Sequence, residues 1–208
     1  MRKFEKRFNS LVIGSVFPLS FGLLSVMIWM LLDKSESRPL LYLTVGLLLG
    51  LLIDFKYLKK WIQRRYDMPI GIVISILLVY HIFVYGFFMG LPVFNVFLGL
   101  LAGYYSGKRI CFNKIEPNKH TKLINQASLI SGLIMTLICI SSGFLALKDY
   151  GAAGMIENVL GLDFKITNSM MWGLVLIGGL ILIMSNIFMT RYTMIKTIKS
   201  TPANTQYT

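Results

Sequence analysis

The sequence predicts an all-α, polytopic integral membrane protein, a bundle of six transmembrane helices with both termini cytoplasmic. Three observations predict it. Apolar and aromatic residues make up 55% of the 208 positions and charged residues only 14%. The apolar residues gather in six runs separated by short polar connections. Lys and Arg are concentrated on alternate connections, as they are when positive segments stay inside during insertion.

The first run, Leu11 to Leu32, carries no charge and is long enough to cross the hydrocarbon, which takes roughly 20 residues. It exceeds the apolar core of a signal peptide, about 7–15 residues, and no small-x-small cleavage site follows it. It therefore reads as a permanent helix. The second run begins at Pro39 and gives a span of 39–55. The third and fourth cover 69–90 and 91–107, and the fifth and sixth 126–147 and 169–190. The second and fourth are short and must borrow flanking residues or sit where the bilayer thins. The basic stretch Tyr57–Tyr66 reads as a cytoplasmic extension of the second helix along the headgroups. Residues 200–208 read as a flexible tail.

Orientation tests the count. One face collects Arg2, Lys3, Lys6 and Arg7, then Lys56, Lys59, Lys60, Arg64 and Arg65. It also collects Lys108, Arg109, Lys114, Lys119 and Lys122, then Arg191, Lys196 and Lys199. Only Lys34, Arg38, Lys148 and Lys165 of the 21 basic residues fall on the other face. With the acids included, the basic face carries +13 and the other face −1. Removing any one span scrambles this bias.

The same distribution excludes a nucleic-acid partner, because no soluble domain carries interleaved basic and aromatic residues. The partners expected are the bilayer and its anionic headgroups, which attract juxtamembrane cations, together with a membrane protein or a second copy of the chain. Scarce Ala beside abundant Ile, Leu, Lys and Met points to a prokaryotic plasma (inner) membrane. Cys111 and Cys139 lie in a loop and within the fifth span, so neither a disulfide nor redox chemistry is indicated.

Helices in lipid associate through small residues and interhelical hydrogen bonds. Packing positions are therefore expected at Gly46 and Gly50, Gly86 and Gly90, Gly99 and Gly103, and Gly178 and Gly179. A shift of 53 residues lays Pro39, Gly46 and Gly50 on Pro92, Gly99 and Gly103, which reads as a repeated helical hairpin or as chance similarity.

Polar residues at membrane depth are functional hypotheses by default. His81 lies near mid-membrane with Tyr85 one turn on, and Asn95 and Asn186 follow in the fourth and sixth spans. These four form the expected ligand-binding set. Asp54 ends the Gly46–Gly50 row and is expected to pair with a local Lys or Arg. The outer loop, 149–168, carries Met155, Ile156, Val159 and Leu160 at helical spacing and reads as an amphipathic surface helix.

No H-E-x-x-H, Walker or G-x-S-x-G motif occurs, and Gly103–Gly107 is one residue out of register for the last. With only His81 and His120, no metal site or cofactor is indicated. Catalytic residues are not indicated either. The function predicted is a small-solute transport component without its own ATPase. The alternative is a non-transporting assembly, regulatory or scaffold subunit, with an intramembrane enzyme as the third and least favoured reading. Six short glycine-rich helices without an ATPase are loosely similar in number and size to the substrate-binding membrane subunits of energy-coupling-factor vitamin transporters. The alanine-based row of their first helix is absent, so no residue carries over.

Overall fold

The computed structural model describes residues 3–32, 38–88, 90–148, 151–161 and 163–201, with side chains for all of these except 3, 4, 6, 8, 9, 155, 156, 159 and 160. Every regular element among the described residues is helical. Packing contacts gather into two units, the first reaching to Phe83 and the second beginning at Val84.

The first unit holds α1 (Lys3–Gly14), α2 (Val16–Leu32), α3 (Pro39–Gln63) and most of α4 (Ile70–Phe87). The N-terminal arm is thus helical and leads directly into the first span. Backbone hydrogen bonds continue across Ser15, from Ser15 N to Leu11 O and from Leu19 N to Ser15 O, each 3.0 Å. Pro18 has no N–H for the Gly14 carbonyl, so the junction lacks one helical bond and loosens there. Pro39 opens α3, where a missing N–H costs nothing.

Helices α2 and α3 pack through glycines. A Cβ on Gly46 would collide with Ser25 Oγ and the Phe21 carbonyl, and one on Gly50 with the Pro18 backbone. Such close approach is how helices gain dispersion contact in lipid. After Gln63 the chain turns and buries Tyr66, whose hydroxyl donates to Glu5 Oε1 at 2.9 Å. The Arg65 guanidinium stands over the Tyr66 ring, 4.7 Å from its centroid. Tyr66→Phe is expected to destabilise the protein by about 1.5–3 kcal/mol, since the lost bond reaches a charged acceptor. A thermal melt indistinguishable from wild type would contradict that role.

The second unit opens with a turn at Gly90, whose φ of +81° suits a residue without a Cβ. A 3₁₀ turn (Pro92–Phe97) leads into α5 (Leu98–Phe112), and α6 (Pro117–Lys148) follows. Then come α7 (Ala152–Leu160), α8 (Asn168–Gly173), a π-helical turn (Leu174–Gly178) and α9 (Gly179–Ser200). Helix α7 occupies the loop expected to hold a surface helix and ends at Gly161, φ +62°. The apolar side chains of its stripe lie outside the described residues, as do residues 202–208 of the tail. Thr167 caps α8 by accepting from Met170 N at 3.3 Å. Glu157 accepts from Ile166 N and closes the 157–166 loop on itself.

Among the described residues, five helical stretches are long and apolar enough to cross a membrane: Ser10–Leu32, Pro39–Gln63, Ile70–Phe87, Pro117–Lys148 and Asn168–Ser200. The expected fourth span, 91–107, is instead divided between the 3₁₀ turn and the 15-residue α5. Leu91, the residue before Pro92, is extended, so helical structure begins only at Pro92 and does so as a 3₁₀ turn.

Burial runs opposite to that of a water-soluble protein. Asn95, Asn186 and Thr190 have no exposed surface, while Leu133, Leu137, Ile140, Leu180 and Phe188 are more than half exposed. Apolar faces of this extent suit a hydrocarbon solvent. The apolar helices are compatible with an integral membrane protein.

Candidate functional site

In the second unit, Gly99, Gly103 and Gly107 form a row on α5 facing α9. A Cβ on Gly99 would lie 2.7 Å from the Asn186 carbonyl, and one on Gly103 would overlap the Thr190 carbonyl. At Gly107 it would meet Thr197 Cβ at 2.8 Å. The close approach seals Asn186 and Thr190 away from solvent. Ser131 of α6 donates to Asn186 Oδ1 at 2.8 Å, and Thr190 Oγ1 lies 3.1 Å from Ser131 Oγ. Asn186 Nδ2 points to the Asn95 and Val96 carbonyls at 3.5 and 3.4 Å. Both polar ends of the Asn186 amide are therefore taken up by protein, and the network joins α6, α9 and the 3₁₀ turn.

Of the four residues expected to hold a ligand, Asn95 and Asn186 meet in this network. Tyr85 is half-buried, its hydroxyl 3.3 Å from where a Cβ on Gly90 would stand. His81 is fully buried but belongs to the first unit. Among the expected packing glycines, Gly46, Gly50, Gly99 and Gly103 stand in close contact. Gly179 would meet Cys139 Cβ at 3.8 Å, whereas Gly86 and Gly178 face open space. The 53-residue echo aligns residues whose partners differ: Gly46 and Gly50 face the preceding helix α2, but Gly99 and Gly103 face α9. Its two halves are not packed alike.

The first unit holds a different kind of site. A groove of about 440 Å³ runs along the α1–α2 junction and α3, lined by Ser10, Gly14, Ser15, Pro18, Asp54 and Phe55 among others. Ligand pockets commonly fall between about 300 and 1,000 Å³ and are mostly apolar with a few polar groups. Here Pro18 loosens the junction and Gly14 leaves room beside α3; a Cβ there would stand 3.7 Å from Asp54 Oδ2. Tyr80 of α4 braces the junction, donating to the Val12 carbonyl at 2.7 Å and meeting Ser15 Oγ.

Asp54 is only 5% exposed, and its Oδ1 has no hydrogen-bond partner among the described residues. The expected pairing with a local Lys or Arg is not formed among the described residues. At about 100° per residue, Lys56, Lys59 and Lys60 project to the far side of α3 and are exposed. The positions sharing the Asp54 face are Leu58 and Trp61, and Trp61 packs edge-on against Phe17, centroids 5.2 Å apart. A buried carboxylate with an open acceptor is costly unless something completes it.

Sequence reasoning missed Ser10, Gly14 and Tyr80 at the groove, and Thr190 in the second unit. Thr190 lies one turn after Asn186, a spacing that places it on the same face. For Pro18 the available signal is that a proline inside a helix marks a gap in its hydrogen bonding. Comparison of the chain with protein-family models, with curated proteins and with solved structures finds no match.

Proposed function

We propose that this chain is a small-solute transport component of a prokaryotic plasma membrane, crossing it six times with both termini cytoplasmic. The observation that carries the solute reading is the groove of the first unit, with the buried Asp54 at its wall and its Oδ1 unpartnered among the described residues. A pure packing surface gains nothing from a buried acid with an open acceptor; a binding site gains an anchor.

The sixth crossing rests on length and charge. The 3₁₀ turn and α5 together extend about 34 Å if collinear, at roughly 2.0 and 1.5 Å per residue, enough for a hydrocarbon core of about 30 Å. Without that crossing, Lys114, Lys119, Lys122 and the basic end of α9 fall on the outer side, against the positive-inside bias. We read the Asn95–Asn186 network as a tie between helices, because protein groups occupy the Asn186 amide.

The alternative, an assembly or scaffold subunit, draws on the exposed apolar faces, which could meet other helices as well as lipid. Native mass spectrometry of the protein extracted from its host in mild detergent separates the two. The expected result is a small molecule bound one to one. Stoichiometric protein partners without a small molecule would overturn the transport reading.

A further inference from the structure

We propose that the groove of the first unit binds a small organic cation, an amine with an apolar body, and that Asp54 is its counter-ion. This deepens the small-solute reading and rests on it. Three features of the groove select this class of ligand. The carboxylate is the only ionisable group among the described lining residues, and Oδ1 has no donor among the described residues. A protonated amine brings up to three N–H donors and the opposite charge, so it satisfies that oxygen and removes the cost of a lone buried anion.

The second feature is an additional acceptor at the same place. Pro18 cannot donate to the Gly14 carbonyl, and Gly14 lies against Asp54. Ser10 and Ser15 add hydroxyls to the lining. The Ser15 hydroxyl is engaged by the Leu11 carbonyl at 2.8 Å and by the Tyr80 hydroxyl, so the open acceptors are Asp54 Oδ1 and the Gly14 carbonyl. The polar part of the groove is thus weighted towards acceptors, and an anionic solute would be repelled there. The third feature is the remaining wall of Leu11, Leu19, Leu51, Phe55 and Leu58, which suits a hydrocarbon or aromatic body. Phe55 is 90% exposed, so its ring is free to close over a bound cation, where a cation–π contact adds attraction.

Saturation-transfer NMR on the full chain in nanodiscs tests this, with phenethylammonium as the cationic probe and phenethyl alcohol as its neutral counterpart. Wild type should transfer saturation to the cation and bind it at least about tenfold more tightly than the alcohol, the margin of one charge-assisted contact. Asp54→Asn should reduce cation binding to the level of the alcohol. Should Asp54→Asn misfold, Leu51→Trp alters an exposed lining position without touching the carboxylate and should block both probes. Equal binding of both probes by wild type, or cation binding unchanged in Asp54→Asn, would overturn the proposal. So would displacement of a membrane protein partner by Asp54→Asn, which would make the occupant a basic side chain of that partner. If neither probe binds while the native protein carries a neutral small molecule, the cation class fails and the solute reading stands.

Discussion

Replacing Gly103 with isoleucine is expected to separate α5 from α9 and to produce the largest loss of stability of any single substitution considered. The α5 surface at this position meets backbone: a Cβ would overlap the Thr190 carbonyl and crowd Met194 N. A flexible side chain can swing aside, but a helix backbone moves only as a whole. Overpacking in a tight interior costs about 1–3 kcal/mol and occasionally more, and contact with backbone places this change at the upper end. A loss of about 3 kcal/mol lowers the melting temperature of a chain this size by roughly 6–12 °C. Gly178→Ala is the control, since nothing lies within 4 Å of its added methyl. It should melt within about 0.5 kcal/mol of wild type. Equal melting temperatures for Gly103→Ile and Gly178→Ala would refute the close packing of α5 on α9.

The second large effect is expected from Asn186→Leu. Asn186 joins three elements at once, accepting from Ser131 and donating towards the carbonyls that end the 3₁₀ turn. Leucine matches its size but offers no polar atom, so Ser131 loses its acceptor in a site closed to water. Single interhelical hydrogen bonds in membranes average about 0.6 kcal/mol and reach roughly 1.7. Losing several at one residue should cost about 2 kcal/mol. Ser131→Ala removes one of them and should cost less than half as much. If Asn186→Leu melts like wild type, the network contributes nothing to holding these helices together.

Much of this arrangement is legible in the sequence because lipid simplifies the problem. Apolar run length and small-residue rows follow from hydrocarbon thickness and from the lack of a hydrophobic drive between helices. Spacing by four therefore placed Gly46 with Gly50 and Gly99 with Gly103. Partner choice was not legible. The same motif faces α2 in one case and α9 in the other, and nothing local in a helix names the helix it will meet. The break before the 3₁₀ turn was visible in Pro92, which keeps Leu91 extended, but the start of α5 at Leu98 was not. Asp54 shows the limit most clearly. Several lysines lie nearby in sequence, but helical phase carries each away from the carboxylate. The open space beside Asp54 depends on Pro18 and Gly14, about forty residues earlier. Only the fold brings them together.

The account depends most on an even number of crossings with the basic face inside. Paired reporter fusions to the full chain in a bacterial host test this directly, with green fluorescent protein or alkaline phosphatase after Thr208, and alkaline phosphatase inserted after Lys165. Six crossings predict a fluorescent C-terminal fusion, an inactive phosphatase at the same place, and an active phosphatase at Lys165. Active phosphatase at the C-terminus with none at Lys165 would mean that α5 does not cross. It would also place the basic end of α9 outside and contradict the six-crossing topology.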